Sequence, residues 1–260
     1  MSRFMVVSKV DRLPEYKAVS ERYGVNFELN DFYEADVLDD MDMQNAIIHQ
    51  YETVGIPKGS TMHGAFFDVV VFSSDAKIRE ISKLRMRQSM DIAKRLGLRG
   101  VVFHTNCNPM LASDAYDNNV VSMTVSYLEE LLQEYLEIDI YLENMFDASP
   151  KILREISEQL GKYSNYGVCL DYAHASISKT PMQDWVEALA PYLKHIHIND
   201  NDLKSDLHLP LGAGQINWNQ FVKYYRTHFD QCSILVETVL PEEQEQSLRY
   251  LKENFVGVFR

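Results

Sequence analysis

Short β-branched or aromatic runs alternate with longer amphipathic segments along the whole of this 260-residue chain, and that alternation narrows the possible folds more than any other feature. The short runs stand near residues 4–8, 25–30, 60–65, 100–105, 138–143, 166–171, 194–198 and 233–237. Helical periodicity follows each of them, most clearly over 76–96, 114–135, 150–161 and 242–254. Eight strand–helix units exhaust the chain, so the predicted fold is α/β, a single (β/α)8 TIM barrel over residues 1–260 as one domain. An open doubly wound sheet is the rival, but its Gly-rich turn after the first strand is missing, since Lys9-Val10-Asp11-Arg12 follows instead. Ser149-Pro150 and Thr180-Pro181 predict helix caps with proline at the first helical position.

Composition bounds the partners. The formal net charge is −13, which repels polyanions and disfavours duplex DNA without excluding it. One local exception is the stretch 77–99, which carries eight of the 25 basic residues. On a helix, Arg79, Lys83, Arg87 and Lys94 fall in one quadrant, read here as a solvated outer face. The three cysteines, Cys107, Cys169 and Cys232, are odd in number and lack metal-ligand spacing, which predicts a reducing, cytoplasmic compartment. No apolar run approaches membrane-spanning length, and Met1-Ser2-Arg3-Phe4-Met5-Val6-Val7 is too short and abrupt for a secretory signal.

The chemistry gathers at the ends of the strands. The third run ends in His63, the fourth in His104 and the fifth in Glu143. The sixth gives Asp171 and then His174, the seventh His197 followed by Asp206 and His208, and the eighth Glu237. Barrel enzymes keep their chemistry at this C-terminal end, because the βα loops converge there. A single His or Glu at a strand end is usually a hydrogen-bonded or solvated residue. So many imidazoles and carboxylates buried together need cations to neutralise them. Alternation puts His195 and His197 on one face, with His195 a layer deeper and suited to packing or to orienting a ligand. His49 and His228 lie in helical segments and are read as surface.

These segments resemble the xylose isomerase-like barrel superfamily, and within it the endonuclease IV (AP endonuclease family 2) branch, over about residues 60–237. The matching pieces are HGAFFD from His63, VVFHTN ending at Asn106, YLEN at Glu143, GVCLDYAH through His174, HIHIND at His197, DLHLPLGAGQINW from Asp206 and LVET at Glu237. The resemblance implies that His63, His104, Glu143, Asp171, His174, His197, Asp206, His208 and Glu237 hold up to three divalent ions. Zinc suits these donors best, with manganese, cobalt, iron or magnesium as alternatives. It implies a phosphoester hydrolase in which Glu143 and Glu237 position or activate water. The same superfamily contains sugar isomerases and epimerases, in which Glu143, Asp171, His197 and Glu237 would hold one metal and the two glutamates would move a proton. Asp206-x-His208 is unnecessary for that chemistry and favours the hydrolase.

The pattern departs from the nuclease where Ala65 replaces a Pro, ahead of Phe66 and Phe67. With the acidic balance, this favours a small phosphorylated or sugar substrate, with Phe66, Phe67, Asn106 and Lys204 as candidate contacts. Gly212-Ala213-Gly214 could cradle a phosphate, though a turn before a cap at Asn217 explains it more simply. Asp200-Asn201-Asp202 fails as a calcium loop, with Lys204 at the next ligand position and the required Gly missing. Cys107 has no base paired with it in the sequence and is not read as a nucleophile. Oligomeric state is left open.

Overall fold

A computed structural model describes residues 3–66, 68–111, 113–255 and 257. Its eight strands are β1 (Phe4–Ser8), β2 (Asn26–Leu29), β3 (Thr61–His63), β4 (Gly100–His104), β5 (Asp139–Glu143), β6 (Tyr166–Asp171), β7 (Leu193–Ile198) and β8 (Ser233–Val236). Each pairs in parallel with its sequence neighbours, and β1 also pairs with β8, which closes a single (β/α)8 TIM barrel. The α-helices are α1 (Leu13–Tyr23), α2 (Ala35–Asp39), α3 (Met41–Val54), α4 (Ala76–Leu96), α5 (Asp114–Glu134), α6 (Lys151–Leu160), α7 (Tyr172–Ile177), α8 (Met182–Leu189), α9 (Trp218–Tyr224) and α10 (Pro241–Asn254).

Closure explains why the strands read as unbroken apolar runs: both faces are buried. On β1, Phe4 and Val6 join the large core, while Met5 and Val7 pack with Leu235 in a separate cluster. The same alternation turns His63, His104, Glu143, Asp171, His195 and His197 into the lumen. Space inside is tight. A Cβ at Gly100 would lie 2.6 Å from the Tyr141 ring, and that ring stacks on His195 at 5.2 Å.

Several element ends differ from expectation for local reasons. The third strand ends at His63 rather than 65: Gly64 N–H still bonds Val102 O at 2.9 Å, but Ala65 N–H turns to Ser89 Oγ at 3.0 Å. Pro150 and Pro181 occupy the cap positions themselves, so α6 and α8 begin one residue later. The Thr180 hydroxyl donates instead to Ala148 O at 2.8 Å. The cap at Asn217 is present, its side chain accepting from Gln220 N–H at 3.2 Å.

The basic stripe lies on α4, and two of its four members are ion-paired, while Arg79 donates to Ser73 O at 2.7 Å. Lys83 stands 3.7 Å from Glu130, Arg87 pairs with Glu134, and neighbouring Arg85 binds Asp39 at 2.7 Å. His49 and His228 are exposed. No helix among the described residues is long and apolar enough to cross a membrane.

Candidate metal centre

Nine side chains reach the C-terminal mouth of the barrel from six successive strands and the segments that follow them. Register does much of the placing: His104 pairs with Glu143, and Asp171 with His197. Among the described residues, side chains of this set form three groups, each with ligand atoms within 4.8 Å of one another: His63, His104 and Glu143; Glu143, Asp171 and His197; and His174, Asp206 and His208. Cys169, His195 and His197 make a fourth. In the first, the Nε2 atoms of His63 and His104 face each other at 3.1 Å, and Glu143 Oε2 lies 3.7 and 3.4 Å from them. In the second, His197 Nδ1 is 3.4 Å from Glu143 Oε2, and Glu237 Oε1 stands 3.5 Å from that nitrogen. In the third, Asp206 Oδ2 lies 3.2 Å from both His174 Nε2 and His208 Nε2.

The ring orientations have identifiable causes. His63 Nδ1 is 3.0 Å from Gly64 O, His174 Nδ1 2.9 Å from Asn144 O, and His208 Nδ1 2.9 Å from Glu237 O. A carbonyl only accepts, so each Nδ1 carries the proton and each Nε2 points into the cluster. The loop bearing Asp206 and His208 is tied down by Asp200. That buried carboxylate accepts from Gly212 N–H at 2.9 Å, Ile216 N–H at 3.1 Å and Trp218 Nε1–H at 2.9 Å. Its backbone exchanges two 2.8 Å hydrogen bonds with Leu209. Gly214 permits this closeness, since a Cβ there would sit 2.3 Å from Asn201 O. Gly212-Ala213-Gly214 therefore serves the loop, and Asp200 anchors it.

Polar atoms are left unpartnered in this mouth. Among the described residues, both Glu143 carboxylate oxygens, Asp171 Oδ2, Asp206 Oδ1, His104 Nδ1 and both ring nitrogens of His197 are buried without a hydrogen bond. Orphans of this kind are expensive in a protein interior unless something neutralises them. Burial pushes the Asp171 carboxyl up, and the Glu237 and Glu143 charges add to the rise. Burial works against ionised Glu143, yet His197 and His104 hold it well below the usual carboxylate range. Burial also opposes His208 protonation, but Glu237 and Asp206 lift it to about 10. His174 rises well above its ordinary value despite burial, through Asp171 and Asp206. Mixed imidazole and carboxylate donors with converging lone pairs and unmet charge suit divalent cations.

Other candidates are placed differently. Phe66 packs edge-on against His63 at 4.8 Å and stacks on Tyr33 at 4.8 Å, forming an aromatic wall beside the first group. Phe67 lies outside the described residues. Asn106 does not face the cluster: its amide donates to Phe66 O at 2.7 Å and Val69 O at 2.9 Å, fixing the loop after β3. Lys204 is exposed at a turn, its backbone N–H bonded to Asp202 Oδ1 at 3.0 Å. Burial raises the Cys107 thiol, which leaves it unactivated. Sequence reasoning missed Glu28, a buried carboxylate beneath the centre, 3.1 Å from His195 Nε2 and 3.2 Å from His197 Nε2. Its signal was present as an acidic residue inside the apolar run Asn26–Leu29.

The family described as xylose isomerase-like TIM barrel matches residues 31–254. The uncharacterized protein MJ1311 of Methanocaldococcus jannaschii is 28% identical over 205 residues, 74% of this chain and 68% of that protein. The TTHB071 protein from Thermus thermophilus, solved after soaking with ZnCl2, superposes with a TM-score of 0.79 at 22% identity, over 96% of this chain and 97% of that one. A D-tagatose 3-epimerase-like protein superposes with a TM-score of 0.77 at 23% identity, over 97% and 96%. Endonuclease IV from Thermus thermophilus superposes with a TM-score of 0.67 at 17% identity, over 96% and 98%.

Proposed function

The chain belongs to the xylose isomerase-like TIM barrel family, and we propose that within it this protein is a divalent-metal-dependent hydrolase of small phosphodiesters or phosphomonoesters. One observation carries the reading: His174 and His208 converge on Asp206 Oδ2 at 3.2 Å each, a third ligand group that one-metal proton transfer does not need. His63, His104 and Glu143 would hold one ion, and Glu143, Asp171, His197 and Glu237 a second. His174, Asp206 and His208 would hold the third. Zinc fits these donors best. Such ions would lower the pKa of a water and offset charge on the phosphoryl and leaving oxygens.

The chain's own residues divide the remaining work. Glu143 has no exposed side-chain surface, whereas Glu237 keeps 13%, so Glu237 is the carboxylate that can meet an incoming water and take its proton. Asn199 Nδ2, 3.4 Å from Glu237 Oε2, orients it. The wall of Phe66 and Tyr33 offers a face for a flat or ring-shaped group. On the Tyr33 side of it, a cavity of about 380 Å³ is lined by Glu34, Asp36 and Asp68, with Arg85 the one basic side chain among the described lining residues. This acidic lining and the net charge of −13 favour a compact substrate over a polyanion.

A second reading, sugar or sugar-phosphate isomerisation or epimerisation, draws on Glu143 and Glu237 both lying against His197 Nδ1, at 3.4 and 3.5 Å. Two such carboxylates could move a proton beside a carbonyl. Metal content per chain, measured with elemental identity, separates the two. About three zinc ions with turnover of a bis-aryl phosphodiester supports the hydrolase. A single manganese or magnesium, with solvent deuterium entering a ketose, supports the isomerase and sinks the first reading.

A further inference from the structure

Glu28 is a buried ionisable residue on a strand that supplies none of the nine proposed ligands. It sits on β2 with 1% of its surface exposed, directly beneath His197. Its Oε1 lies 3.2 Å from His197 Nε2, a close charge contact without hydrogen-bond alignment. Its Oε2 lies 3.1 Å from His195 Nε2 and accepts the Thr61 hydroxyl at 2.7 Å. One carboxylate thus ties β2 to β3 and, across the lumen, to β7.

Proton bookkeeping fixes what these contacts do. An ionised carboxylate accepts from an N–H and repels a bare nitrogen lone pair, so the hydrogen-bonded His195 Nε2 and the nearby His197 Nε2 both carry the hydrogen. For His195, that leaves Nδ1 to meet Ser233 Oγ at 2.7 Å. For His197, which the surrounding carboxylates lift well above the ordinary imidazole value despite burial, it leaves Nδ1 aimed at Glu143 and Glu237 as the nitrogen that would give up its proton to a bound ion. A buried ionic network of this size is a poor way to gain stability, because apolar residues of similar volume fill such space as well or better. Its value lies in orientation: the second nitrogen of a metal-binding imidazole commonly bonds a carboxylate, which sets the tautomer and strengthens the donor.

We propose that Glu28 is a positioning residue that holds His197 with Nε2 protonated and Nδ1 directed into the metal cluster, with His195 and Thr61 holding Glu28 in turn. This rests on the reading of the mouth as a metal centre, and it assigns a residue outside the nine ligands to that centre.

The test is zinc and cobalt titration of wild type, Glu28→Gln and Glu28→Ala. Metal affinity is followed by calorimetry and the cobalt d–d spectrum, alongside the melting temperature of the metal-free protein. Glu28→Gln keeps the shape and removes the charge. It is expected to weaken one bound ion by about 10- to 100-fold and shift its cobalt bands, while the ion on His174, Asp206 and His208 keeps its affinity. In the zinc-loaded wild type, long-range ¹⁵N–¹H spectra should show His197 protonated at Nε2 and metallated at Nδ1. Wild-type affinity and spectrum in Glu28→Gln, or His197 metallated through Nε2, overturns the assignment. A lowered melting temperature with unchanged metal affinity reduces Glu28 to a packing role and also overturns it. Wild type that binds no divalent ion refutes the metal centre itself, a result distinct from either.

Discussion

Titrating zinc into the metal-free protein at pH 7 probes the His174, Asp206 and His208 group without any substrate. Both imidazoles keep Nδ1–H on backbone carbonyls, so an ion can reach them only by displacing the Nε2 proton. His208 is raised to about 10, and His174 well above its ordinary value, so both are protonated at pH 7. Displacing the His208 proton at that pH costs about (10 − 7) × 1.36, or roughly 4 kcal/mol. Loading this group should release two protons per ion, and its affinity should climb steeply from pH 7 to about 8.5. The same shift has a stability sign in the metal-free protein. The raised His208 stabilises the fold fully below its ordinary 6.5 and loses that contribution as pH rises through about 10. The loss is about 5 kcal/mol at most, since the ring is 31% exposed and partly screened. Calorimetry in buffers of different ionisation enthalpy counts the protons. If His208→Ala releases as many as wild type, or affinity stays flat across this window, the assignment is wrong.

Other outcomes follow from the same geometry. His208→Ala should cut hydrolysis of a bis-aryl phosphodiester by at least about 100-fold while leaving any one-metal proton transfer intact, measured as kcat/KM on both substrates. Glu237→Gln should lower kcat by about 10²- to 10⁴-fold with the fold retained by circular dichroism, the range typical for losing a general base. Asp147 is raised to about 6, with burial the largest cause. Its folded carboxyl therefore binds protons more tightly than the unfolded one, and stability falls by about 3 kcal/mol as pH rises from roughly 4 to 6. Asp147→Asn should flatten that slope in denaturant melts of the metal-free protein; an unchanged slope refutes the attribution. Gly214→Ala should cost about 1–3 kcal/mol and weaken the third ion, because its Cβ would meet Asn201 O at 2.3 Å.

The barrel was legible because a closed parallel sheet leaves a strong trace, apolar runs of strand length separated by helical periodicity. The gathering of the nine polar residues at the mouth was legible for a related reason: inward-facing residues at strand ends have few structural reasons to be His, Asp or Glu. Glu28 was not, because a residue in mid-strand declares its face only once the register is known, and Glu28 pairs with Thr61 across β2 and β3. Asp200 was misleading, since its spacing hints at a cation loop while its partners, Gly212, Ile216 and Trp218, are 12 to 18 residues away. Asn106 followed His104 closely enough to suggest a substrate contact. A left-handed backbone at φ 50° turns that segment, and the amide closes onto Phe66 and Val69.

Three of the cluster's imidazoles take their orientation from main-chain carbonyls, those of Gly64, Asn144 and Glu237. A carbonyl is the one acceptor that substitution cannot remove. The directions of these donors are therefore written into the path of the backbone, and side chains in the surrounding loops can change without turning the rings. A mouth built this way separates two tasks, keeping its coordination frame constant while the loops are free to vary in what they admit.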